Sequence, residues 1–214
     1  MDYGKILRFP MEDKDWIMKI IIGGVLSIIP IINFIASGYQ LKVMKNAINK
    51  TPGMPDWKGF MDLFVKGLIV FVIALLFMIV PLIIFGAIAG FSAISAVMGD
   101  LTNPYSVVMA ILPALFIGGI LLLIIGFILP MAIAMYAKSD NFSDAFKFSE
   151  ILNRIKSIFS EYLISYLIIV IFGIILGLIM LIPIIGWIIG FFGTFYLGIV
   201  ALNMFGELYL KSKA

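Results

Sequence analysis

Forty-five consecutive uncharged residues separate Glu161 from Glu207, and this run constrains the chain more than any other feature. At about 1.5 Å per residue, a straight helix of that length is roughly twice as long as the ~30 Å hydrocarbon core of a bilayer. The run must turn back on itself, and Pro183, which cannot continue a helix interior, marks the place. It predicts a helical hairpin within a membrane. Shorter uncharged runs obey the same logic: 37 residues between Asp100 and Lys138, 33 between Lys66 and Asp100, and 22 between Lys19 and Lys42. A span needs about 20 such residues, whereas a barrel strand uses about ten. The composition agrees, with 63% hydrophobic and only 13% charged residues, against about half and a quarter in soluble domains. The expected fold is all-α, a polytopic helical membrane protein of five or six apolar helices, forming one membrane domain over residues 1–214.

The chain contains neither cysteine nor histidine. Disulfides, thiolate nucleophiles, iron–sulfur clusters and zinc or haem sites built on histidine are thereby excluded, and no cofactor or metal is expected. A net charge of +3 raises the question of nucleic acid, but the basic residues flank apolar spans, where membrane topology accounts for them. No nucleic-acid partner is expected; the bilayer is. The start, "MDYGKILRFPMEDKDW", carries Asp2, Glu12, Asp13 and Asp15, unlike a cleaved signal peptide, so the N-terminus is expected to be retained.

Three stretches place aromatic and charged residues just before an apolar run: "FPMEDKDWIMKI" from Phe9, "PDWKGFMDLF" from Pro55, and "NFSDAFKFSEILNRIKSIF" from Asn141. In the third, Phe142, Phe146, Leu152, Ile155, Phe159 and Leu163 recur at helical spacing, which describes a helix lying in the headgroup layer. In the second, Asp56 is a candidate N-cap, with Trp57, Phe60 and Phe64 along one helix face. Trp16, Trp57, Phe60, Phe64, Phe142 and Phe146 are the candidate interface anchors. "SIIPIINF" at 27–34 also resembles "MLIPIIGW" at 180–187. The layout suggests three pseudo-repeats of elbow, helix out and helix back, about 5–50, 55–138 and 141–214.

If the first unit is a hairpin, all 15 basic residues fall on one side, which the positive-inside rule makes cytoplasmic. That places both termini in the cytoplasm of a multi-pass protein of the cell membrane. Length opposes a full span, because Trp16–Ile29 and Ile31–Met44 each supply an arm of about 21 Å. Two readings stand: a short or re-entrant hairpin tipped at Pro30, and one kinked span with the N-terminus outside.

The stretches "FPMEDKDWIMKIIIGG", "IPIINFIASGYQLKVMKNAI" and "MPDWKGFMDLFVKGL" resemble archaeal and bacterial membrane proteins catalogued as domain of unknown function 4013. The first 70 residues carry most of the likeness. It implies a six-helix, N-inside membrane protein and brings no activity and no catalytic residues.

Candidate sites are few. Lys19, Lys66, Glu161 and Glu207 lie near run ends, within snorkelling reach of headgroups. Gly186, Gly190, Thr194 and Gly198 repeat every fourth residue along the last helix, a small-residue face for helix packing, with Gly173, Gly177, Gly86 and Gly90 as candidate counterparts. A Gly206→Leu change is expected to matter less than Gly190→Leu. Pro30 and Asn33 pair a helix break with an amide, an arrangement transporters use to bind solutes. Intramembrane catalysis has only scattered serines, such as Ser92, Ser95 and Ser165, to draw on. The functional expectation is a non-enzymatic accessory or membrane-organising protein, partnered by another membrane protein or a second copy; the alternative is a transporter or exporter of a lipophilic or neutral solute.

Overall fold

The computed structural model describes residues 1–98 and 104–213. These form helices α1 (Tyr3–Arg8), α2 (Trp16–Ile28), α3 (Asn33–Ile48), α4 (Phe60–Met98), α5 (Pro104–Ser139), α6 (Phe148–Ser157), α7 (Phe159–Ile179) and α8 (Ile185–Lys211), with 3₁₀ turns at Phe9–Glu12 and Phe142–Phe146. No strand occurs among the described residues. The protein is an all-helical, polytopic membrane protein: four segments, Phe60–Phe91, Leu115–Ser139, Phe159–Ile179 and Ile185–Lys211, are long and apolar enough to cross a bilayer. Most of the connection Gly99–Ser106, including Thr102, lies outside the described residues.

The first apolar run is a hairpin. Its arms hold 13 and 16 residues, about 20 and 24 Å, so neither spans the core unaided. Pro30 ends α2 because its ring fixes φ and removes an N–H, and the chain reverses through Ile31 at φ +72°. Residues 55–59, expected to begin a helix at Asp56, are irregular; Gly59 at φ +72° turns the chain and α4 starts at Phe60.

The helices group into two compact units whose division falls within α4 and α5: one of Met1–Val72 with Pro130–Ala214, the other of Ile73–Leu129. In the first unit, α8 is the central element, packed by α2, α3 and α7. Its core joins Ile20, Ala36, Tyr39, Val43, Met54, Leu63, Phe195 and Ile199. Small residues set the distances. A Cβ on Gly38 would overlap the Leu63 carbonyl and one on Gly67 the Phe34 carbonyl, so α3 and α4 cross backbone to backbone. In the second unit, the Phe85 ring covers Gly118, beside an apolar cleft of about 410 Å³ bounded by Pro81, Phe85, Leu115 and Gly119.

Candidate functional site

The polar groups of the first unit gather at the end of the helices away from the hairpin tips. Lys19, in the first turn of α2, is only 8% exposed. Its ammonium donates to Asp13 Oδ2 at 2.8 Å and to the Met54 carbonyl at 3.2 Å, with Asp56 Oδ1 at 3.6 Å. A cation so deeply placed requires a partner, and here the partners come from both sides of the sequence. Burial raises the Asp13 pKa, but the Lys19 hydrogen bond and charge, together with the Asp15 amide, outweigh it and hold the carboxyl below its ordinary value.

The loop that supplies Met54 is "TPGMPDW". The Tyr39 hydroxyl donates to the Pro55 carbonyl at 2.7 Å, and the Trp57 ring stacks on Tyr39 with centroids 4.0 Å apart. The Trp57 indole N–H reaches the Lys19 carbonyl at 3.3 Å. The loop therefore closes the base of the α2–α3 hairpin, and Lys19 and Tyr39 pin it. From the other side, α1 is held by the Tyr196 hydroxyl, which donates to the Leu7 carbonyl at 2.7 Å, while Trp16 meets Tyr196 edge to face. Sequence reasoning missed Lys19 as a structural centre; the clue available was its position inside an otherwise apolar stretch, only six residues from Asp13.

The remaining expected residues are dispersed. Phe60 is exposed, Phe64 meets Phe34 edge to face at 5.8 Å, and Phe142 and Phe146 touch each other at 5.1 Å beside α6. On α6, Ile151 and Ile155 are buried while Phe148 and Leu152 are exposed. Arg154, paired with Glu150 on the same helix at 2.9 Å, ties α6 to the end of α8 by lying over the Tyr209 ring at 4.5 Å and donating to Ser212. The small-residue face on α8 divides between neighbours: Gly186 abuts the Ile179 carbonyl and Gly190 the Met180 side chain, whereas Gly198 abuts Gln40 on α3. The Thr194 hydroxyl donates to the Gly190 carbonyl. A Cβ on Gly173, Gly177, Gly86 or Gly90 would meet nothing within 4 Å.

At the first hairpin tip, the Asn33 side-chain oxygen is buried and accepts no hydrogen bond among the described residues; about one helical turn on, the Ser37 hydroxyl donates to the Asn33 carbonyl at 3.3 Å. Glu207, near the end of α8, accepts from the Asn203 amide at 3.2 Å. Of the serines considered for catalysis, Ser165 is buried with its hydroxyl 4.0 Å from Met1 Sδ, and the side chains of Ser92 and Ser95 lie outside the described residues.

The profile of a family described as "Protein of unknown function (DUF4013)" matches residues 22–185, more than half of the chain. The protein belongs to that family. The match runs well beyond the first 70 residues, taking in both hairpin tips, and begins after the Asp13–Lys19 pair. Neither a curated protein nor a solved structure matches.

Proposed function

We propose that the protein is a non-enzymatic, membrane-organising accessory protein of the cell membrane, with both termini in the cytoplasm. The observation that carries this reading is the braced first hairpin: two arms too short to span, closed at the base by Lys19, Tyr39 and the 51–57 loop, presenting an apolar tip on which Ile31 is 67% exposed. Such an element is a fixed insert in one part of the bilayer rather than a moving gate. The lysines and Arg154 at the opposite end supply the cytoplasmic charge bias. The flat strip at Gly173 and Gly177 on α7 suits a helix of another membrane protein or of a second copy.

The test combines sidedness with partner capture. Because the chain has no cysteine, single cysteines at Asp2, Lys50 and Lys147 report their location directly. Labelling only after the cytoplasmic face is opened, with a membrane protein or a second copy recovered by cross-linking from a cysteine at Gly177, is the expected result. Labelling of Asp2 from outside the cell rejects the topology.

A second reading, transport of a neutral or lipophilic solute, draws on the unpartnered Asn33 oxygen at the Pro30 break. It requires Asn33→Leu to abolish flux while the protein still accumulates in the membrane; the accessory reading requires that variant to keep its partner.

A further inference from the structure

A cleft of about 260 Å³ opens beside the α3–α4 crossing, lined by Leu41, Lys42, Lys45, Asn46, Asn49, Asp62, Lys66 and Asp140. The α3 contribution follows from helical spacing, since positions 42, 45, 46 and 49 share one face while Leu41, Met44 and Ile48 on another are buried in the core. The first turns of α4 supply Asp62 and Lys66, and the residue after α5 supplies Asp140, held at φ +55°. Two of the lysines are committed: Lys45 pairs with Asp140, and Lys66 with Asp62 at 3.4 Å. Among the described residues, Lys42 has no ion pair and the side-chain amides of Asn46 and Asn49 make no hydrogen bond. Three lysines against two aspartates leave one positive charge, which a single monoanion with several acceptor oxygens would neutralise.

We propose that this cleft binds the phosphate of an anionic membrane phospholipid, with Lys42 as the principal cation and Asn46 as a neutral donor beside it. The surroundings select a lipid over a soluble anion. Met61, Val65 and Leu68 form an exposed apolar stripe along α4, one residue round the helix from Asp62 and Lys66, where acyl chains continue from a headgroup seated among the lysines. The volume falls just under the roughly 300–1,000 Å³ of clefts that enclose a whole drug-sized ligand, as fits a headgroup whose tails stay outside. A lysine ammonium at this depth keeps its stem against apolar surface and its charge at the phosphate level. The proposal does not depend on the accessory role or on which leaflet the cleft faces, because binding is measured on the isolated full chain.

The experiment is native mass spectrometry of the full-length protein released from detergent, titrated with phosphatidylglycerol, with diacylglycerol of the same acyl chains, and with inorganic phosphate. Phosphatidylglycerol is expected to bind, diacylglycerol to bind at least tenfold more weakly, and inorganic phosphate to bind without comparable affinity. Lys42→Gln is expected to weaken phosphatidylglycerol binding about tenfold, Asn46→Ala less, and Lys42→Arg to restore it, while Lys213→Gln, a distant exposed lysine, leaves it unchanged. Equal thermal melting of the Lys42 variants and the parent shows that the loss is local. Binding that is indifferent to the phosphate, that falls equally with Lys213→Gln, or that belongs to inorganic phosphate alone overturns the proposal.

Discussion

The α2–α3 and α7–α8 hairpins turn on the same four residues, Ile-Pro-Ile-Ile at 29–32 and 182–185, and in each the isoleucine after proline takes a left-handed backbone, φ +72° at Ile31 and +66° at Ile184. At the second tip ψ is −69° and the Ile185 amide donates to the Pro183 carbonyl at 2.8 Å, a γ-turn of the strained, positive-φ kind. The hairpins differ below the tip. In the first, Phe195 and Phe192 press onto Gly23 and Gly24 and α4 crosses at Gly38, so the glycines of both arms are covered, although α2 keeps Ile17, Ile21, Val25 and Ile28 exposed on its other face; in the second, Gly173 and Gly177 on α7 face open space. The same local turn thus serves a short hairpin braced from below and a full-length one that leaves the glycine face of one arm uncovered. Turn chemistry is local, while reach and enclosure depend on partners brought from elsewhere.

That contrast is broken most directly at the backbone crossing. Gly38→Leu or Gly67→Leu forces side-chain atoms into a carbonyl that cannot yield, and is expected to cost about 3 kcal/mol or more, read as loss of folded protein in thermal scans in detergent. If either variant melts with the parent, the α3–α4 crossing is not as close as described.

Next in size is the brace. Asp13→Asn leaves the Lys19 ammonium short of its closest partner and is expected to destabilise by about 2–3 kcal/mol, less than a fully buried pair because some solvent reaches both groups. Lys19→Met, which removes the charge as well, should cost less, and a double-mutant cycle measures the coupling. The pH dependence has a definite sign. With its folded pKa depressed, Asp13 contributes stability above the ordinary carboxylate range near 4, and that contribution is lost as pH falls through the lower folded value. Stability of the parent should therefore fall on the acid side in a way that Asp13→Asn does not.

The glycines of α8 offer a finer comparison. A side chain at Gly206 meets the Met44 carbonyl and the Ala47 Cβ, whereas one at Gly190 meets the flexible Met180 side chain. Gly206→Leu is thus expected to cost about 2 kcal/mol and Gly190→Leu about 1 kcal/mol, reversing the order that depth in the membrane alone suggests. Smaller still, Ile184→Gly should gain about 1 kcal/mol by relieving the left-handed backbone, net of the added chain entropy. Gly177→Ala is expected to be neutral or stabilising by less than about 1 kcal/mol, since the new methyl meets nothing and alanine favours the helix.

Much of this architecture was legible in the residues. Uncharged run lengths gave the membrane helices, Pro183 gave the second tip and Pro30 the tip in one of two readings of the first run, while the spacing of Phe142, Phe146, Leu152, Ile155, Phe159 and Leu163 gave a helix but not its buried face, since Ile151 and Ile155 are buried and Leu152 and Phe159 are exposed. The Asp56–Phe60 segment was not legible as a loop, because its aromatic spacing imitates a helix whose rings in fact serve different neighbours: Trp57 stacks inward on Tyr39 while Phe60 faces out. The candidate lipid cleft was equally hidden, for its lysines read as ordinary topology signals until Asp62 and Asp140 are brought beside them.

By itself, the sequence determined that this protein folds as membrane helices and that the 162–206 run turns back near Pro183, because transfer of long uncharged runs into lipid is a cost set by the local residues; it left open whether the first run reverses at Pro30, and Pro81 stands inside α4 without reversing it. Only the tertiary structure decided that Lys19 is a buried brace, that α3 and α4 cross closely at Gly38 and Gly67, and that Lys42 lacks a counter-charge among the described residues. Those outcomes depend on which carbonyls and carboxylates arrive from distant positions, and pairing of that sort is fixed by packing in three dimensions.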